Sequence, residues 1–138
     1  MQASRTLTVA NRMEEIRTIE AALEEFGEEH GFPMDALLQI QLALEELFTN
    51  VVSYAHDDDQ EHEVEIKLSR EGETITVEIT DDGCPFDPLH DAPDLDIESS
   101  LEERSVGGAG IRLAKQLMTE MRYQRNSERN HLTMVKKI

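Results

Sequence analysis

The sequence predicts an α+β fold, a two-layer α/β sandwich in which a mixed, mainly antiparallel sheet carries its helices on one face. Three observations predict it. Two segments near the N-terminus repeat apolar residues at helical spacing, and the middle and end of the chain alternate apolar with polar residues as antiparallel hairpins do. The resulting order of strand, helix, helix, hairpin, loop, helix, hairpin supplies helices enough to cover one side of a sheet.

Thr6 to Ala10 alternates, with Leu7 and Val9 on one side, and reads as a short strand. Asn11 with Glu14 three residues on resembles a capping box, after which Ile16, Ile19, Leu23 and Phe26 predict a helix to about His30. Gly31 stops it and Pro33 starts the next, from Asp35 to about Ala55, on a stripe of Leu37, Ile40, Leu44, Leu47, Phe48 and Val51. Leu38, Leu42 and Val52 fall off that stripe, so this helix is expected to be covered on more than one side. The acidic stretch AHDDDQEHE predicts a solvated loop. Val64, Ile66 and Leu68, a turn at Glu71 and Gly72, then Ile75, Val77 and Ile79 predict a hairpin with one buried face. From Phe86 to Arg104 periodicity disappears, which predicts a mobile loop. Gly107, Gly108 and Gly110 open a helix carrying Ile111, Ala114, Leu117 and Met118, and MRYQR and HLTMVKKI form a closing strand pair.

At 138 residues the chain is expected to be a single domain over 1–138, large enough to bury one core without disulfides. Its 30 acidic against 13 basic residues give a net charge of −17, which repels a polyphosphate backbone and argues against nucleic acid as a partner. One Cys forms no internal disulfide, and no apolar run approaches the length of a membrane span; both predict a reducing cytoplasm and no membrane contact.

Strand parity puts Asp81 on the buried face with Ile75, Val77 and Ile79. A buried carboxylate needs donors. Two readings stay open: a bond to the backbone of the Asp81-Asp82-Gly83 turn, or a donor brought by a ligand. Glu46 and Asn50, four apart, share a helix face and offer hard oxygens to Mg²⁺ or to water, unless that face is a solvated edge. Gly107, Gly108 and Gly110 expose backbone N–H groups at a helix start, which suits phosphate as well as a plain hinge. No GKS or GKT follows them, no GxSxG elbow is present, and the five His form no ligand spacing with Cys84.

In this order, EELFTN, DDGCPFDP and GGAGIRLAKQLM resemble the N-box and the two glycine boxes of the Bergerat-fold (GHKL) ATPases, within them the bacterial anti-sigma-factor serine/threonine kinases. NHLTMVKK resembles their closing strand, so the likeness spans nearly the whole chain. It implies ATP and Mg²⁺ as cofactors. Asn50 would hold Mg²⁺, Glu46 would be the general base, and Asp81 would accept a hydrogen bond from the adenine amino group, with Gly83 beneath the base. Gly107, Gly108 and Gly110 would lie near the phosphates, beside an ATP lid at about 87–106. In that lid Arg104, its one basic residue, would meet the terminal phosphate or a partner. Pro85 stands where the family usually has a second glycine, and the acidic lid implies modest nucleotide affinity. No phosphoacceptor-histidine helix is present, so a complete sensor histidine kinase is not expected.

The resemblance therefore implies a protein kinase and anti-sigma factor that holds a sigma factor and phosphorylates a STAS-domain antagonist protein. The alternative is a non-catalytic module whose lid answers to ATP or ADP. A homodimer is compatible with both.

Overall fold

The computed structural model of the chain describes residues 2–54, 61–85 and 108–138. Most of the acidic AHDDDQEHE stretch, the expected lid at 87–106, Arg104 and Gly107 lie outside these. Five strands, β1 (Gln2–Ala10), β2 (Glu63–Glu71), β3 (Thr74–Asp81), β4 (Glu120–Asn126) and β5 (Arg129–Lys137), form one sheet in the order β1-β2-β3-β5-β4. All four pairings are antiparallel, so among the described residues the sheet has no parallel pair. The α+β architecture is as the element order predicts. Each hydrophobic run alternates apolar and polar residues, so each strand has one face to bury and one to leave in water.

The buried face carries Val9, Val64, Ile66, Val77, Ile79 and Leu132, and three helices cover it. These are α1 (Ile16–Glu29), α2 (Met34–Tyr54) and α3 (Gly108–Leu117). α1 packs on β1, β2 and α2, while α2 packs on β3 and α3. Ile19, Leu23 and Phe26 from α1 and Ile40, Leu44 and Phe48 from α2 are almost completely buried.

One expectation fails at α1, and one holds only in part at α2. The Asn11–Glu14 capping box does not form: Asn11 lies before a 3-10 turn (Met13–Glu15), and its side-chain oxygen accepts from the His62 backbone N–H at 2.9 Å. With its own N–H bonded to the His62 carbonyl, Asn11 extends the β1–β2 ladder instead. α2 is covered on more than one side, by α1, α3 and the sheet, and off-stripe Val52 packs against the core, but Leu38 and Leu42 are left 52% and 53% exposed. Gly31, by contrast, is the stop its type predicts. At φ +69° it lets Phe32 N–H reach the Gly27 carbonyl at 2.8 Å, and the Phe32 ring packs edge-on to Phe26, as in a Schellman cap.

Candidate functional site

β3 is the central strand, and Asp81 ends it on the helix-facing side, in register with Val64 on β2 and Asn130 on β5. Asp81 is buried, as parity predicts. An Ile there would contribute about 1.5–3 kcal/mol through burial alone, whereas a carboxylate without donors costs more than that. Donors are present. Oδ1 accepts the Gly83 backbone N–H at 2.8 Å, the turn bond that the sequence left open, and the Asn130 side-chain amide at 3.0 Å. These bonds fix the plane of the carboxylate.

Asn130, which the sequence reading passed over, organises this corner. Its amide nitrogen also donates to the Cys84 carbonyl at 2.8 Å, and its oxygen accepts from the Tyr123 hydroxyl. Arg125 donates to the Gly83 carbonyl at 2.7 Å. The Asp81–Cys84 turn is thus held by the β4–β5 hairpin, which arrives some forty residues later in the chain. A signal was available: Asn130 shares the parity of buried Leu132 and Met134, so it too had to find a partner.

On α2, Asn50 is buried and Glu46 half-buried, which removes the solvated-edge reading for Asn50. The Asn50 amide donates to the Glu46 carbonyl at 2.8 Å and to the Glu46 carboxylate at 3.2 Å. This turns its oxygen the other way. Among the described residues, Asn50 Oδ1 is buried with no hydrogen-bond partner. A buried acceptor left unmade costs about 1–3 kcal/mol, and a water, an N–H or O–H donor or a hard cation would each satisfy such an oxygen. Loss of water raises the pKa of Glu46 above its ordinary 4.5; the Asn50 amide opposes that shift, and the neighbouring Glu45 charge adds to it. A carboxylate of raised basicity beside a cation ligand can take a proton from a hydroxyl.

Gly108 and Gly110 lie in the first turn of α3, the helix packed against α2, as the glycine run predicts. Glu46 and Thr49 line the groove between these two helices with Leu42, Leu113 and Leu117. The structure therefore joins Glu46 to Asn50 directly and Asp81 to Gly83 directly. The first pair sits on α2, where Glu46 lines the groove facing α3, and the second closes the end of the central strand β3.

A helix-borne Glu and Asn over an antiparallel sheet, with a buried Asp before a turn glycine and a glycine-led helix alongside, is the layout of a histidine-kinase-type ATP-binding domain. The chain matches the Histidine kinase-like ATPase domain over residues 9–136 and belongs to that family. Among curated proteins it is similar to the serine/threonine-protein kinase BtrW of Bordetella bronchiseptica, 30% identical over 95 residues, covering 69% of this chain and 66% of that one. It is likewise similar to the serine-protein kinase RsbW of Bacillus subtilis, 27% identical over 124 residues, covering 88% of this chain and 78% of that one. The fold is similar to that in the structure of the RsbU and RsbW domains of Rv1364c from Mycobacterium tuberculosis. There the TM-score is 0.66 at 18% identity, over 98% of this chain and 32% of that one. The chain thus spans just under two thirds of BtrW and about a third of the mycobacterial protein. Among the described residues no helix is long and apolar enough to cross a membrane.

Proposed function

We propose that the chain is an ATP-dependent protein serine/threonine kinase of the cytoplasm, acting as an anti-sigma factor that phosphorylates a STAS-domain antagonist. One observation carries this reading: the buried oxygen of Asn50, without a hydrogen-bond partner among the described residues, beside a half-buried Glu46 of raised pKa. The names of BtrW and RsbW as serine or serine/threonine kinases support it, and family membership brings ATP use.

In this reading Asn50 would hold Mg²⁺ through Oδ1. When bound, Mg-ATP supplies the transferable phosphoryl group and the charge neutralisation that phosphoryl transfer needs. Glu46 takes the proton of the acceptor hydroxyl, and the Asn50 amide keeps its carboxylate aimed. Asp81 would accept from the adenine amino group, its turn held in place by Asn130, Tyr123 and Arg125. Gly83 would lie under the base. Gly107, Gly108, Gly110 and Arg104 serve the phosphate end, with the lid at 87–106. A phosphorylated partner gains close to two negative charges, which a chain of net charge −17 would reject, so transfer itself would drive partner release.

The test is incubation with Mg-ATP and a STAS-domain antagonist, for the wild type and for Glu46→Gln. The wild type should form phosphoserine or phosphothreonine, and Glu46→Gln should slow transfer by about 10²–10⁴-fold with nucleotide affinity retained. If Glu46→Gln leaves partner control intact, the chain is a non-catalytic ATP/ADP-binding module.

A further inference from the structure

The α2–α3 groove has a volume of about 190 Å³, well beyond the ~30 Å³ share of a water molecule, and one wall of it is Glu46. Its upper walls are apolar and left open by the fold: Leu42 is 53% exposed and Leu113 45%. Leu117 forms part of the floor, and the exposed carboxylate of Glu45 stands at the rim. Leu42 and Leu113 line the same groove as the proposed general base, so their exposed apolar surface is gathered beside Glu46 rather than scattered over the molecule. Whatever hydroxyl surrenders its proton to Glu46 is carried on a polypeptide, and the residues flanking that hydroxyl must pass along the walls beside Glu46. We infer that this groove is the docking channel for the phosphoacceptor segment of the partner. It seats an apolar side chain next to the acceptor Ser or Thr between Leu42 and Leu113, and Glu45 favours a basic residue just outside.

This rests on the kinase reading above and adds to it where substrate selectivity resides. Leu38 supplies the control, because it is 52% exposed one turn from Leu42 yet does not line the groove. The experiment measures transfer from Mg-ATP to a purified STAS-domain protein for the wild type, Leu38→Ser, and Leu42→Ser combined with Leu113→Ser. All three are checked for thermal stability, nucleotide affinity and oligomeric state. The double variant should raise KM for the acceptor protein about tenfold, with kcat at saturation and the Kd for Mg-ATP unchanged, while Leu38→Ser behaves as wild type. An acceptor KM that moves no more than in Leu38→Ser overturns the docking channel and leaves the kinase reading standing. A double variant that changes oligomeric state also overturns it, since the face is then a contact between copies of the chain. A wild type that transfers no phosphate to the STAS protein overturns the kinase reading and this inference with it.

Discussion

Glu46 holds its proton more tightly than an ordinary carboxyl because the groove strips water from it, and the charge of Glu45 next door adds to the effect. Its base form predominates only above that raised pKa, so transfer should fall away on the acid side at a pH above 4.5. Replacing Glu45 by Gln removes the repulsion and should move the acid limb of the kcat–pH profile to lower pH. An unmoved limb would mean that another group titrates. The same shift has a stability sign. Between 4.5 and the raised value the folded state holds the proton more often than the unfolded chain does, so stability declines as pH rises through that window and the cost persists above it. Glu46→Gln should therefore be at least as stable as the wild type at neutral pH, which keeps its activity readable. At this scale the sequence revealed the burial of Asp81 and the pairing of Glu46 with Asn50, because parity and i, i+4 spacing are local. It did not reveal Asn130, Tyr123 or Arg125 as supports of Asp81, since the β3–β5 register that brings Asn130 opposite Asp81 is a long-range pairing.

The β4–β5 hairpin matters more to the site than its position at the end of the chain suggests, since it delivers Asn130 and Arg125 to the Asp81 turn. Its loop is two residues long, and both of them, Ser127 at φ 51° and Glu128 at φ 62°, lie in the left-handed region. A type I′ turn demands that backbone, and Asn-Gly meets it with least strain. Ser127→Asn combined with Glu128→Gly should stabilise the protein by about 1 kcal/mol, read as a higher midpoint in urea denaturation with the m-value unchanged. A lower midpoint would show that the present side chains are needed. The sequence places a connection between the two closing strands but does not mark it as strained, because neither residue is a glycine. At α1 the error ran the other way. Asn11 has the residue type and spacing of a cap, but its pairing with His62, distant in sequence, outcompeted the local bond. At α2 the off-stripe leucines were read as buried because apolar content alone does not distinguish a second covered side from an exposed contact face.

Across the whole molecule, the fold was legible because periods of 2 and 3.6 follow one another in a definite order, and that order leaves few ways to build one sheet with helices on one side. The pairing order β1-β2-β3-β5-β4 was not, since hairpins fix neighbours while the placement of the β4–β5 hairpin depends on packing. A net charge of −17 on 138 residues implies self-repulsion in the folded state, so added NaCl should raise Tm from its value at low ionic strength. A flat or falling Tm would show that the charges are already compensated. The central claim is that the buried carboxylate of Asp81, held by Gly83 and Asn130, reads the amino group of adenine. Calorimetric titration of the protein with Mg-ATP and then with Mg-GTP tests it most directly, because guanine presents a carbonyl oxygen where adenine presents that amino group. The account predicts saturable binding of Mg-ATP and at least roughly tenfold weaker binding of Mg-GTP, about the 1.4 kcal/mol that one mispaired buried acceptor costs. Equal affinities, or no heat with Mg-ATP, would contradict it.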